Sequence, residues 1–136
     1  MLFRSDWVNT IWSTMAARYA GNPTVAGYDL MNEPLLSYNE TSSDISQKSA
    51  YYNRLYNTVR AVDPAHVIFM EAFFGWNTIA PPSTYGWTNV AYELHPYDMP
   101  EGIDWAAQNS LVQTQLADVA AKQADPTWGV PVLYGE

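Results

Sequence analysis

The sequence predicts an α/β fold in which helices alternate with short buried strands of a parallel sheet. Segments with apolar residues at helical spacing alternate along the chain with short, almost continuously apolar segments. Such apolar segments are typical of parallel strands that are covered on both faces. Two architectures fit this order, a doubly wound sheet and a (β/α)8 barrel. Because no glycine-rich phosphate-binding loop follows any predicted strand, a nucleotide-binding doubly wound domain is disfavoured.

Three segments have the apolar spacing of an amphipathic helix. In the first, Trp7, Ile11 and Met15 lie on one stripe, and Pro23 in a Gly-Asn-Pro sequence ends the pattern. In the last, Leu111 and Leu116 belong to the inward-facing stripe. The predicted helices cover residues 5–19, 47–62 and 104–124.

Four short apolar segments are predicted to be buried strands. They cover residues 24–32, 66–73, 89–95 and 130–135. Residues 74–87 contain two prolines, two glycines and two tryptophans, and are predicted to form a long loop. The predicted order is therefore α-β-α-β-loop-β-α-β.

Composition limits the partners of this chain. Its 136 residues are enough for one domain or part of one, and its net charge of −8 disfavours nucleic acid and anionic membranes as partners. A neutral polysaccharide meets no such charge penalty. With no cysteine, only two histidines and no His-Glu-x-x-His motif, the sequence predicts no metal site.

The N-terminal residues do not predict a signal peptide. Arg4 directly follows the first three residues, and no apolar core of the required length comes after it. No apolar run approaches the roughly 20 residues of a membrane span. The localisation of the chain stays unknown on these grounds.

Polar side chains lie at the C-terminal end of every predicted strand. In a parallel barrel these ends open onto one face, where the loops build the active site. Two carboxylates on one rim suit glycosidic bond cleavage, because one must donate a proton and the other must be ionised to attack or stabilise the anomeric carbon. In a retaining enzyme these carboxylates lie about 5–5.5 Å apart. The residues concerned are Asn32, Glu33, Glu71, His95, Tyr97 and Glu136.

Several of these strand ends resemble one known family. VAGYDLMNEP, residues 25–34, resembles the fourth strand of clan A glycoside hydrolases, especially the cellulases of family five. YELHPYDM, residues 92–99, resembles the sixth strand, and VPVLYGE, residues 130–136, resembles the seventh. HVIFMEAFFGW, residues 66–76, occupies the fifth-strand position. Three matches in the right order, each ending a predicted strand, are far more specific than the tripeptide Asn-Glu-Pro alone.

The resemblance implies a role for each matching residue. Glu33 would be the catalytic acid/base, and Asn32 would bind the sugar 2-hydroxyl. Glu136 would be the nucleophile, with Tyr97 as its hydrogen-bond partner and His95 beside the substrate.

Other candidate residues have two interpretations each. Glu71 either contacts substrate or pairs with a neighbouring side chain, and Trp76, Trp87 and Trp105 offer either a sugar-binding platform or core packing beneath loops. Among these, Glu71 and Trp76 are taken as candidate substrate-binding residues. His66, at the N-terminal end of a strand, is predicted to be structural.

For the whole chain the resemblance implies a partial (β/α)8 barrel over residues 1–136, corresponding to the fourth to seventh strands of the family's domain. The implied activity is retaining hydrolysis of β-1,4-glucan without a cofactor, with secretion of the parent protein. Another clan A substrate, β-mannan or β-1,3-glucan, is the nearest alternative. Further alternatives are a carbohydrate-binding module and a truncated, non-catalytic half barrel that self-associates through open sheet edges.

Overall fold

The computed structural model describes residues 5–72, 75–95 and 104–135. Four strands form one sheet, and all neighbouring strands are parallel and in sequence order. The strands are β1 (Gly27–Asp29), β2 (Val67–Glu71), β3 (Val90–Leu94) and β4 (Val132–Tyr134). The helices are α1 (Ser5–Tyr19), α2 (Ser42–Arg60), α3 (Pro82–Tyr85) and α4 (Trp105–Ala124), and a 3-10 turn covers Trp76–Thr78.

The helices pack against one face of this sheet. The core side chains Tyr28, Ile68, Met70 and Tyr92 point toward this helix layer, and Tyr28 and Ile68 lie between less buried neighbours. The other face carries side chains such as Leu133, which is 43% exposed. Because a doubly wound sheet is covered by helices on both faces and reverses its strand order, the observed architecture confirms the partial (β/α)8 barrel.

The register brings the carboxyl ends of the strands together. Glu71 at the end of β2 is paired with Glu93 of β3, and Leu94 of β3 is paired with Tyr134 of β4. The residues that follow these strands therefore leave the sheet along the same edge, as a barrel rim requires.

Helix α2 begins five positions earlier than its apolar pattern predicts. Thr41 caps its N-terminus: the Thr41 hydroxyl accepts from the Asp44 N–H, and the Asp44 carboxylate accepts from the Thr41 N–H at 2.9 Å. This capping box stabilises a first turn whose side chains are polar. The predicted loop at residues 74–87 also needs correction, because it contains a 3-10 turn and the short helix α3.

A buried polar network joins α1, β1 and β2 at the amino ends of the strands. The Tyr28 hydroxyl donates to Asp63 Oδ2 at 2.6 Å, and His66 Nδ1 lies 2.5 Å from the same oxygen. His66 Nε2 lies 3.0 Å from the Asn22 carbonyl oxygen. The imidazole thus links three segments far from the carboxyl ends of the strands, as expected of a structural histidine. None of the helices in the described ranges has the length and apolar character needed to cross a membrane.

Candidate active site

Four side chains meet at the carboxyl ends of β1, β2 and β3, and are called here the carboxylate–histidine cluster. Its members are Glu33, Glu71, Glu93 and His95. Glu33 lies in the turn after β1, Glu71 ends β2, and His95 directly follows β3. Parallel strands in sequence order bring these ends side by side, so residues up to 62 positions apart come into contact.

His95 lies at the centre of the cluster. Its imidazole is 2% exposed, and Nδ1 lies 3.1 Å from Glu33 Oε1 and 3.4 Å from Glu71 Oε1. Nε2, on the opposite side of the ring, lies 3.4 Å from Glu93 Oε1. Because both ring nitrogens face carboxylate oxygens, the cluster must hold shared protons, either on the ring or on a carboxyl group.

Glu33 has an unusual backbone conformation. Its φ of 45° lies in the left-handed region, which residues other than glycine seldom adopt. The Glu33 N–H donates to Glu71 Oε2 at 2.5 Å, so a buried carboxylate stabilises this conformation. The Glu33 side chain is 31% exposed and is accessible to solvent at the rim.

Glu71 is fully buried, with 0% of its surface exposed. Burial raises the pKa of its carboxyl group to about 7, and the negative charges of Asp29 and Glu93 act in the same direction. The hydrogen bond from the Glu33 N–H and the charge of His95 oppose this rise. The Glu71 carboxyl therefore changes its charge near neutral pH.

Glu93 was not predicted as a site residue. A sequence signal does exist, because Glu93 and His95 are two positions apart and alternate side chains of a strand share one face. The end of β4 also reaches the cluster. A Cβ atom added to Gly135 would overlap Glu93 Oε1 and would lie 2.7 Å from His95 Nε2.

The structure brings only some of the predicted site residues together. Glu33, Glu71 and His95 are in contact, and Asn32 is exposed next to Glu33. The fully buried Glu71 side chain pairs with its neighbours, which is one of its two predicted alternatives. Tyr97 and Glu136 lie outside the described residues, so the distance between Glu33 and Glu136 stays a prediction.

Trp76, which the sequence predicts as a candidate substrate-binding residue, lies outside this cluster. Its side chain is 7% exposed and stacks on Tyr92, with ring centroids 5.9 Å apart. Trp128 packs edge-on against Trp76 at 5.3 Å. Because Tyr92 points toward the helix layer, this indole occupies the hydrophobic core, where the packing alternative places it.

The cluster also offers ligand atoms for a cation. Glu33, Glu71 and His95 each present one ligand atom, and these atoms lie within 4.8 Å of one another. Such clusters are also what general acid/base chemistry uses, since a partly exposed carboxyl beside a buried one favours different protonation states in the two groups.

Comparison with known proteins supplies a family context. A family model described as Cellulase (glycosyl hydrolase family 5) matches residues 4–136. A β-xylosidase of Phanerodontia chrysosporium is 33% identical over 100 residues, which cover 69% of this chain and 19% of that protein. Endoglycoceramidase I of Rhodococcus hoagii (strain 103S) is 29% identical over 138 residues, which cover 90% of this chain and 27% of that protein. The chain thus spans about a fifth to a quarter of these relatives.

Solved structures support the fold. An endo-glycoceramidase II from Rhodococcus sp., bound to a five-membered iminocyclitol, superposes with a TM-score of 0.71 at 24% identity, over 94% of this chain and 32% of that one. A β-glucanase from Saccharophagus degradans, bound to cellotetraose, superposes with a TM-score of 0.56 at 23% identity, over 75% of this chain and 32% of that one.

Proposed function

The chain belongs to glycosyl hydrolase family 5, and from this membership and the carboxylate–histidine cluster we propose that the whole protein hydrolyses a β-glycosidic bond with retention. In this proposal Glu33 is the proton donor and Glu136 is the nucleophile. The observation that carries it is the placement of the Glu33 carboxyl, partly exposed at the barrel rim and 3.1 Å from His95.

The proposed reaction proceeds in two displacements. Glu136 attacks the anomeric carbon and forms a glycosyl-enzyme, while Glu33 donates its proton to the departing oxygen. Glu33 then accepts a proton from water, whose oxygen attacks the anomeric carbon and releases Glu136. Glu33 and Glu136 then have their initial protonation states. Each displacement inverts the anomeric configuration, so the two together retain it.

The cluster suits Glu33 to this role. Its carboxyl group is partly exposed at the rim, so it can reach the leaving oxygen of a bound sugar, as a proton donor must. The proposed partners of Glu33 are Asn32 for the sugar 2-hydroxyl and His95 beside the substrate.

The assignment of Glu136 rests on the family match and on the residue before it. Gly135 lies beside Glu93 and His95, at the same rim as Glu33. In the proposal, Tyr97 donates a hydrogen bond to Glu136 and keeps it ionised. No cofactor takes part in the proposed reaction.

We propose β-1,4-glucan as the substrate, with β-mannan and β-1,3-glucan as alternatives within the same chemistry. A glycolipid is a second candidate, because a relative matched over 90% of this chain is an endoglycoceramidase. Three exposed apolar side chains in segments that follow strand carboxyl ends also favour an amphiphilic substrate: Leu36 (47% exposed), Tyr38 (90%) and Trp105 (87%).

Assays on carboxymethyl-cellulose, mannan, laminarin and a glycosphingolipid, with the protein that the gene encodes, distinguish these substrates. Glu33→Gln and Glu136→Gln are each expected to lower kcat by about 10²–10⁴-fold. Asp118→Asn, which changes an exposed carboxylate on α4, is the control and should leave kcat unchanged. Full turnover in either glutamine variant would refute the two-carboxylate assignment.

A further inference from the structure

We propose that Glu71 is a positioning residue for the proton donor, with one carboxylate oxygen fixing the Glu33 backbone and the other aligning His95 with the Glu33 side chain. The inference rests on the proposed function, since it takes Glu33 as the acid/base. It departs from the interpretation of Glu71 as a residue that contacts substrate.

The first contact acts on the peptide backbone. Glu71 Oε2 accepts the Glu33 N–H at 2.5 Å, and Glu33 has a φ of 45°. A left-handed conformation at a residue with a side chain persists only when neighbouring groups stabilise it. This hydrogen bond therefore determines the direction in which the Glu33 side chain leaves the turn after β1.

The second contact acts on the imidazole. Among the described residues, Glu71 Oε1 is buried without a hydrogen-bond partner, and the charged donor that faces it is His95 Nδ1 at 3.4 Å. The same Nδ1 lies 3.1 Å from Glu33 Oε1. Nδ1 thus faces both a buried carboxylate that cannot reach substrate and a partly exposed one that can.

Helix α2 fixes the backbone of Glu71. The Tyr52 hydroxyl lies 3.3 Å from the Glu71 carbonyl oxygen and 3.5 Å from that of Met31, so helix α2 connects the ends of β1 and β2. With 0% exposure and a pKa of about 7, the Glu71 carboxyl is shielded from substrate and changes its charge near neutral pH.

Three variants separate these effects. Glu71→Gln keeps an oxygen acceptor for the Glu33 N–H and removes the charge, whereas Glu71→Leu removes both. Glu93→Gln is the matched control, because Glu93 approaches the other ring nitrogen of His95 at the same 3.4 Å. Each replacement keeps a side chain of similar size in the strand.

Nuclear magnetic resonance on the ¹⁵N-labelled chain reads both contacts without any need for turnover. In the wild type, the resonance of the Glu33 amide proton is expected far downfield. It should move upfield slightly in Glu71→Gln and strongly in Glu71→Leu. In Glu93→Gln it should not move. The His95 Nδ1 resonance should shift in Glu71→Gln, whereas Glu93→Gln should shift mainly the Nε2 resonance, because the two carboxylates face opposite ring nitrogens. His66, the only other histidine, is the internal control and should keep its resonances.

Measurements of kcat and KM with the whole protein that the gene encodes test the functional effect. Glu71→Leu is expected to lower kcat by about tenfold or more on a substrate with a poor leaving group, with little change in KM. A dinitrophenyl leaving group departs with little protonation, so kcat on a dinitrophenyl glycoside should fall much less. An unchanged Glu33 amide in a Glu71→Leu variant whose His66 signals are native would overturn the proposal. Full turnover in Glu33→Gln would instead refute the proposed function, while the amide and imidazole measurements would still report on Glu71.

Discussion

The Asp63 carboxylate contacts both the Tyr28 hydroxyl and the His66 imidazole in the buried network at the amino ends of the strands. Burial works to raise the pKa of its carboxyl group, but hydrogen bonds from the Tyr28 hydroxyl and from the backbone N–H groups of His66 and Ala65 outweigh burial and lower it. The Asn22 carbonyl and the Asp63 carboxylate raise the pKa of His66. Both shifts favour the charged pair in the folded state.

These shifts predict a stability plateau at mildly acidic pH. The contribution of Asp63 is present above its unfolded pKa of about 3.9 and is lost as the pH falls through its lower folded value. The contribution of His66 is present below its unfolded pKa of about 6.5 and is lost as the pH rises through its higher folded value. Urea unfolding between pH 3 and 8 should therefore show this pair's full contribution between about pH 4 and 6.5.

Asp63→Asn checks the origin of that plateau. The amide should lower the free energy of unfolding by about 1–3 kcal/mol, because buried donors lose a charged acceptor. It should also reduce the fall in stability that His66 causes above pH 6.5, although the Asn22 carbonyl, which raises the pKa of His66 most, stays in place. A variant with the same pH profile as the wild type would show that other groups produce it.

Gly135 is the second residue whose role follows from geometry. A methyl group here would overlap the Glu93 carboxylate and crowd the His95 ring. Gly135→Ala is therefore expected to displace Glu93 and to shift the His95 imidazole resonances, with a loss of about tenfold or more in any turnover. Gly75→Ala is the control, since Gly75 has extended backbone with φ 167° and a new methyl meets no atom of the described residues within 4 Å. Unperturbed His95 signals in Gly135→Ala would contradict this close approach.

Helix α2 provides a prediction at the level of a single element. Thr41→Ala removes the hydroxyl that accepts the Asp44 N–H and should lower the free energy of unfolding by about 1 kcal/mol. Thr58→Ala is the matched control inside the same helix, where the Thr58 hydroxyl donates to the Arg54 carbonyl oxygen at 3.0 Å. Chemical denaturation measures both, and equal losses in the two variants would exclude the capping explanation.

Helices α1 and α2 show how far the apolar pattern of the sequence predicts where a helix begins and ends. The apolar periodicity predicts α1 at residues 5–19, where the structure has Ser5–Tyr19, because the stripe and the stop signal agree. For α2 the pattern starts at residue 47, but the helix starts at Ser42. Its first turn is polar and is stabilised by side-chain capping, which apolar periodicity does not detect.

Sequence patterns identify some residues of the candidate site but not the position of others. Polar residues at strand ends identify Glu33, Glu71 and His95, because topology alone brings those ends to one rim. The core position of Trp76 depends on contacts with Tyr92 and Trp128, which are distant in sequence. No local pattern distinguishes such an indole from a sugar-binding platform.

At the scale of the whole molecule, apolar surface remains uncovered at both ends of the sheet. On α1, Trp7 is 66% exposed and Ile11 is 52% exposed. On α4, Leu116 is 49% exposed, and Leu133 of β4 is 43% exposed on the face opposite the helix layer. Within the described residues, β1 and β4 are the outer strands, so their outward backbone groups are available for pairing.

These surfaces predict that the 136-residue chain self-associates, because large apolar patches and open strand edges both favour contact between copies. Sedimentation velocity should show a mass that rises with concentration, together with weak or absent glycosidase turnover. Ile11→Lys combined with Leu116→Lys should shift the distribution toward monomer, because each places a charge in an exposed apolar stripe. Leu36→Lys, at an exposed position in the loop after β1, should have less effect. A monomer at all concentrations with full turnover would show that the uncovered faces are tolerated, and would favour the catalytic over the non-catalytic alternative for this chain.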